Sequence, residues 1–164
     1  MYKSMLLMVF VLFCTSLTAE EELETMRSNP DRDFDLKVDS GELKIWTGNV
    51  SYYFNQGYSE AYMGVQLRKF VESFDENRDG RFSSLEFRRF QTGAKKLFSE
   101  ASAFLAAKFD ENKNRRLDKD EREVARTEIK SFLTFSLSLR EIKNNGEDAK
   151  TVLDKKRALD DIYD

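Results

Sequence analysis

Oxygen-bearing side chains recur at a fixed spacing twice in this chain of 164 residues. The first run is Asp75-Glu76-Asn77-Arg78-Asp79-Gly80-Arg81-Phe82-Ser83-Ser84-Leu85-Glu86, with side-chain oxygens at Asp75, Asn77, Asp79, Ser83 and Glu86. The second is Asp110-Glu111-Asn112-Lys113-Asn114-Arg115-Arg116-Leu117-Asp118-Lys119-Asp120-Glu121, with oxygens at Asp110, Asn112, Asn114, Asp118 and Glu121. Both fill positions 1, 3, 5, 9 and 12 of a twelve-residue loop. A hard cation such as Ca²⁺ takes 6–8 oxygen ligands at short range, and this spacing wraps one loop around one ion.

The two loops resemble those of the EF-hand family, and the likeness covers roughly residues 59–130. The resemblance implies a role for each position. Asp75, Asn77 and Asp79 give side-chain oxygens, Arg81 gives its main-chain carbonyl, Ser83 acts at the position often bridged by water, and Glu86 closes the site with two oxygens. In the second loop the same roles fall to Asp110, Asn112, Asn114, the Arg116 carbonyl, Asp118 and Glu121. Gly80 fills the sharp turn, where positive φ is free of steric cost only for glycine. The second loop departs here, with Arg115 at the turn, at a cost of roughly 1–2 kcal/mol. Lys113, Arg115, Arg116 and Lys119 add positive charge near the ion, so the second loop is expected to bind more weakly. The resemblance also implies that Phe82 and Leu117 lie side by side in a short antiparallel ladder between the loops.

Helices must hold these loops. Met63, Leu67, Phe70, Val71 and Phe74 form an apolar stripe before the first loop, and Leu97, Phe98, Ala101, Phe104, Leu105 and Phe109 form one before the second. Leu85 and Phe90, then Val124, Ala125 and Ile129, begin the outgoing helices. The loops start 35 residues apart, at 75 and 110, which leaves room for helix, loop, helix and a joint at Gln91-Thr92-Gly93-Ala94. The expected fold is all-α: a helix-loop-helix pair over residues 58–131 with one shared core, since neither unit buries its apolar face alone.

Three segments flank the pair. Residues 1–19 read as a secretory signal peptide, with Lys3, an apolar run from Met5 to Cys14, and cleavage after Ala19. The run is too short to span a bilayer, so the mature chain is expected to be exported without a membrane span. Cys14, the one cysteine, leaves with it, and disulfides leave with Cys14. Residues 20–57 form an acidic and aromatic segment. Within it, Phe34, Leu36 and Val38 alternate with polar residues as a short strand or an extended arm would. Ile45-Trp46 and Val50 to Phe54 suit either packing onto the paired helices or a partner surface, with self-packing favoured. Asn49-Val50-Ser51 is an N-glycosylation acceptor motif. Residues 132–164 read as a helical extension: Phe132, Phe135, Leu139 and Ile142 on one helix, a turn at Asn144-Asn145-Gly146, and a last helix over 151–163.

Composition excludes several classes. The chain has no histidine, which removes the commonest general base and all His-dependent metal and nucleophile sites. No phosphate-binding glycine loop is present, and no enzyme activity is expected. Arg88, Arg89, Lys95 and Lys96 mix with acids, as a solvated face does and a nucleic-acid stripe does not. The leading expectation is a secreted Ca²⁺-binding protein whose metal is mainly structural or buffering. Two alternatives stand beside it: an extracellular or biomineral matrix protein, and a Ca²⁺ sensor that opens a groove for an extracellular protein. Met26 and Met63 are few for a Met-rich sensor groove.

Overall fold

The computed structural model describes residues 29–57, 63–129 and 131–146. Five helices account for most of them: α1 (Ser40–Asn55), α2 (Val65–Glu72), α3 (Ser84–Phe109), α4 (Lys119–Glu128) and α5 (Phe132–Asn144). The fold of the described residues is all-α, as expected. Residues 1–19 and the helix expected over 151–163 lie outside them. No described helix is long and apolar enough to cross a membrane.

Four of the five helices start where a side chain can satisfy orphan N–H groups, and α2, which follows Gly64, does not. Asp39, Ser83 and Asp118 are N-caps of α1, α3 and α4, and each is answered three residues later by Glu42, Glu86 or Glu121, forming a capping box. Ser131 caps α5 through Thr134 N. Beyond α5, Gly146 adopts φ 72°, the left-handed conformation that ends helices at low cost in glycine.

The central element is α3, 26 residues long, or about 39 Å at 1.5 Å per residue. α1 lies antiparallel along it. Asn55 at the end of α1 meets Phe82 at the start of α3 through an Oδ1···H–N bond of 2.7 Å, while the Leu36 carbonyl before α1 accepts from Ser102 Oγ at 3.0 Å. Between these points Trp46 packs on Phe90 and edge-on against Phe98, with centroids at 6.0 and 5.1 Å. α5 covers another side of α3, with Phe132 against Phe98 and Phe135 against Phe104, and Arg140 reaches over the Phe70 ring of α2.

One apolar cluster runs from Leu36 to Leu139. It includes Trp46, Val50, Tyr53 and Phe54 from the segment read as an N-terminal flank, and Phe132, Phe135 and Leu139 from the segment read as an extension. The boundaries expected at 57/58 and 131/132 therefore do not divide the core. Burying a phenylalanine is worth roughly 1.5–3 kcal/mol, and Phe70, Phe90, Phe98, Phe132 and Phe135 are fully buried together.

Three expectations are corrected. Residues 91–94 are not a joint but the interior of α3. Gly93 is needed there for close approach rather than for a bend: a Cβ at this position would lie 2.2 Å from Cζ of Phe74. Second, no strand occurs among the described residues, and Phe82 and Leu117 form no ladder. The continuous α3 places the two loops at its opposite ends, and the Phe82 N–H is taken by Asn55 instead. Third, residues 33–39 are not a strand. Phe34 and Leu36 have φ of 57° and 67°, outside the β region.

Candidate metal-binding loops

The loop 75–86 is closed by its own carboxylates. Asp75 Oδ2 accepts from Gly80 N at 2.9 Å, Asn77 Oδ1 from Asp79 N at 3.1 Å, and Asp79 Oδ1 from Arg81 N at 2.8 Å. Glu86 reaches back from the first turn of α3. Its Oε1 accepts from Glu76 N at 2.9 Å and its Oε2 from Ser83 N at 2.8 Å. The carboxylate that ends the loop thus also caps the helix. Hydrogen bonding with the Ser83 side chain, and then with the Ser83 N–H, holds the Glu86 carboxyl below the usual carboxylate range. It is ionised at neutral pH.

Asp75 is the distinctive member of this loop. It is 8 % exposed, and its Oδ1 is buried without a hydrogen-bond partner. Buried polar atoms are rarely left so, because an unsatisfied buried group costs about 1–3 kcal/mol, more when charged. Its other oxygen accepts from the loop backbone at Gly80.

The loop 110–121 repeats the main-chain anchoring at positions 1, 3, 5 and 12, but its Asp110 Oδ1 accepts from Asn114 N at 2.9 Å, whereas Asp75 Oδ1 has no partner. Asp110 Oδ2 accepts from Arg115 N at 2.6 Å, Asn112 Oδ1 from Asn114 N at 3.0 Å, and Asn114 Oδ1 from Arg116 N at 2.7 Å. Glu121 accepts from Glu111 N at 2.9 Å and from Asp118 N at 3.0 Å. Asp118 Oδ2 takes the Asn112 amide at 3.0 Å. Arg115 stands in the turn at φ 65°, beside 75° for Gly80.

A third loop with the same architecture precedes α1: Asp31-Arg32-Asp33-Phe34-Asp35-Leu36-Lys37-Val38-Asp39-Ser40-Gly41-Glu42. Asp31 Oδ2 accepts from Leu36 N at 2.9 Å, Asp33 Oδ1 from Asp35 N at 3.1 Å, and Asp35 Oδ1 from Lys37 N at 2.9 Å. Glu42 accepts from Arg32 N at 2.7 Å and from Asp39 N at 2.9 Å. Carboxylate oxygens of Asp31, Asp33 and Asp35 lie within 4.8 Å of one another. Burial pushes Asp31 up from 3.8 to about 6, against the lowering effect of the Leu36 and Asp35 N–H groups. Every described non-glycine residue with positive φ (Phe34, Leu36, Arg78, Lys113 and Arg115) sits at position 4 or 6 of one of the three loops.

The reading of the sequence missed this third loop. Its signal was the same 1, 3, 5, 9, 12 spacing, carried by Asp31, Asp33, Asp35, Asp39 and Glu42. Alternating aspartates look like strand alternation, and Leu36 stands where a glycine would have drawn attention.

The loops are distributed along α3. Loop 75–86 lies at its N-terminal end and loop 110–121 at its C-terminal end. The antiparallel α1 brings loop 31–42 toward the C-terminal end, where Arg126 of α4 donates to the Phe34 carbonyl and lies over the Phe34 ring. The glycosylation motif falls inside α1, where Asn49 is half-buried and Ser51 is buried. The chain matches no family model, no curated protein and no solved structure.

Proposed function

We propose that the chain is a secreted Ca²⁺-binding protein of the EF-hand type, with the metal stabilising the fold. The observation that carries this reading is the orphaned, buried Oδ1 of Asp75, in a loop whose remaining oxygens are anchored by its own N–H groups. A hard cation is the partner that this oxygen-only set suits, with no nitrogen or sulfur ligand among the residues involved. Asp75, Asn77, Asp79, Ser83, Glu86 and the Arg81 carbonyl would hold one ion. Asp110, Asn112, Asn114, Asp118, Glu121 and the Arg116 carbonyl would hold a second. The shared main-chain anchoring of loop 31–42 extends the reading to Asp31, Asp33, Asp35, Asp39, Glu42 and the Lys37 carbonyl, with the difference that Asp31 Oδ1 accepts from Asp35 N at 3.0 Å. The pairing of two hands through a ladder is dropped from this reading, because one helix separates them.

Metal would act here as a staple. A cation that binds only the folded chain raises stability by mass action. Export rests on the leader-like residues Lys3, Met5 to Cys14 and Ala19. In an extracellular setting even a site of ~10⁻⁴–10⁻³ M would be largely filled.

Calcium titration by calorimetry on chelator-treated protein tests the reading. Three binding events are expected, and Glu42→Gln, Glu86→Gln and Glu121→Gln should each remove one. Melting temperature should rise with Ca²⁺ in the parent and rise less in each variant. A parent chain that shows neither binding heat nor a Ca²⁺-dependent melting shift would rule the function out. Loss of no event in Glu42→Gln would limit it to the two loops at the ends of α3.

A further inference from the structure

A cleft between α2, α3 and α5 has the wrong charge for this acidic chain. Its volume is about 260 Å³, and its floor is apolar: Phe70, Phe74, Leu97 and Leu139 line it. Its cations are Lys96, Arg140 and Lys143, while Glu100 is its one carboxylate. Glu100 is already shared, taking Lys143 Nζ at 2.8 Å and Lys96 Nζ at 4.0 Å. Arg140 pairs with no carboxylate among the described residues. Its guanidinium rests over the Phe70 ring at 4.8 Å, and it also borders a neighbouring cavity that Lys69 lines. A chain of net charge −3 thus collects a local positive excess around an apolar hollow. Partial burial also holds the Arg140 guanidinium below the usual arginine range, an unfavourable setting that a bound anion would reverse.

We propose that this cleft binds a small organic anion with an aromatic or alkyl body, its carboxylate or sulfonate on Arg140 and its apolar part against Phe74, Leu97 and Leu139. The size fits: a cavity of about 150 Å³ already admits benzene, so this one takes a bicyclic ring. The charge arrangement fits too, since a planar guanidinium binds carboxylate and sulfonate oxygens through two parallel N–H donors. None of the twelve positions of any of the three loops lines the cleft, although Phe74 on its wall adjoins Asp75.

The probe is naphthalene-2-sulfonate, titrated by calorimetry into the full chain in the presence of Ca²⁺, with neutral naphthalene-2-sulfonamide as the comparison. One site per chain is expected. Arg140→Gln should weaken the sulfonate about tenfold or more and leave the sulfonamide unchanged, and Arg140→Lys should recover part of the loss. Unchanged melting curves would show that these half-buried substitutions leave the fold intact. Equal sulfonate affinity in the parent and in Arg140→Gln overturns the proposal, as does failure of the parent to bind at millimolar probe. So does binding that appears only after the chain is cut back to Gly146, since the cleft would then belong to the chain's own C-terminal residues.

Discussion

Arg115 sits in the left-handed region at φ 65° and is exposed. Leu36 holds the same turn position at 67° in loop 31–42, but the two are not equivalent. Leu36 is 4 % exposed and belongs to the core, and its carbonyl is tied to Ser102. Glycine there would forfeit the burial, a loss of roughly 2–5 kcal/mol by analogy with Leu→Ala. At Arg115 no such anchoring opposes the change. Arg115→Gly removes a left-handed cost of roughly 1–2 kcal/mol and one positive charge beside the carboxylates. Calcium affinity of loop 110–121 should tighten about tenfold, since ~1.4 kcal/mol is one decade. Arg115→Ala, measured beside it, separates charge from backbone. An Arg115→Gly chain that binds no better than the parent would mean that the turn costs nothing in this context. Glu86 and Glu121 show a second residue-scale point. Each holds loop N–H groups with both carboxylate oxygens and caps a helix, so charge-removing substitutions at these positions act on helix and loop together.

Gly93 makes the case at the scale of the element. Helix propensity favours alanine over glycine by about 1 kcal/mol, so Gly93→Ala ought to stabilise an isolated α3. Packing decides the opposite way, because the added Cβ would lie 2.2 Å from the Phe74 ring. The expected result is a net loss of about 1–3 kcal/mol, the usual cost of overpacking. Phe74 adjoins Asp75, so loop 75–86 should also weaken. Pairing Gly93→Ala with Phe74→Leu should recover part of the loss in thermal unfolding, and simple additivity of the two changes would count against the clash. The same residue shows why the sequence was legible only in part. The apolar stripes at 63–74 and 97–109, the ligand spacing and the helix after Phe132 follow from local periodicity, and they were readable. A glycine inside a helical pattern reads as a break, and only the aromatic ring from another segment reveals its use. The Trp46 helix was obscure for a related reason: its apolar positions face α3 through Trp46 and loop 75–86 through Phe54, which blurs any single stripe.

The whole molecule is organised around α3 as a shaft with a loop at each end. A paired arrangement would place loops 75–86 and 110–121 side by side, as the resemblance implied. The shaft keeps them about 39 Å apart. Gd³⁺ in the loops, with distances read by electron–electron dipolar spectroscopy, distinguishes the two arrangements. A population near 40 Å is expected from the pair at the ends of α3, and it should vanish in Glu121→Gln and in Glu86→Gln. A single short distance in both the parent and Glu42→Gln would mean that α3 is not continuous in solution.

A shaft of this kind has phase as well as length. Each residue added to or removed from α3 shifts one end by about 1.5 Å and turns it by about 100° relative to the other. The aromatic row that meets α1 and α5 must keep its bearing while the terminal loops keep theirs. Removal of seven residues nearly restores the bearing, and removal of two turns one loop to the far side. Length changes in this helix should therefore be tolerated in whole turns and rejected in halves, so that residue number along α3 acts as a gear ratio between the loops.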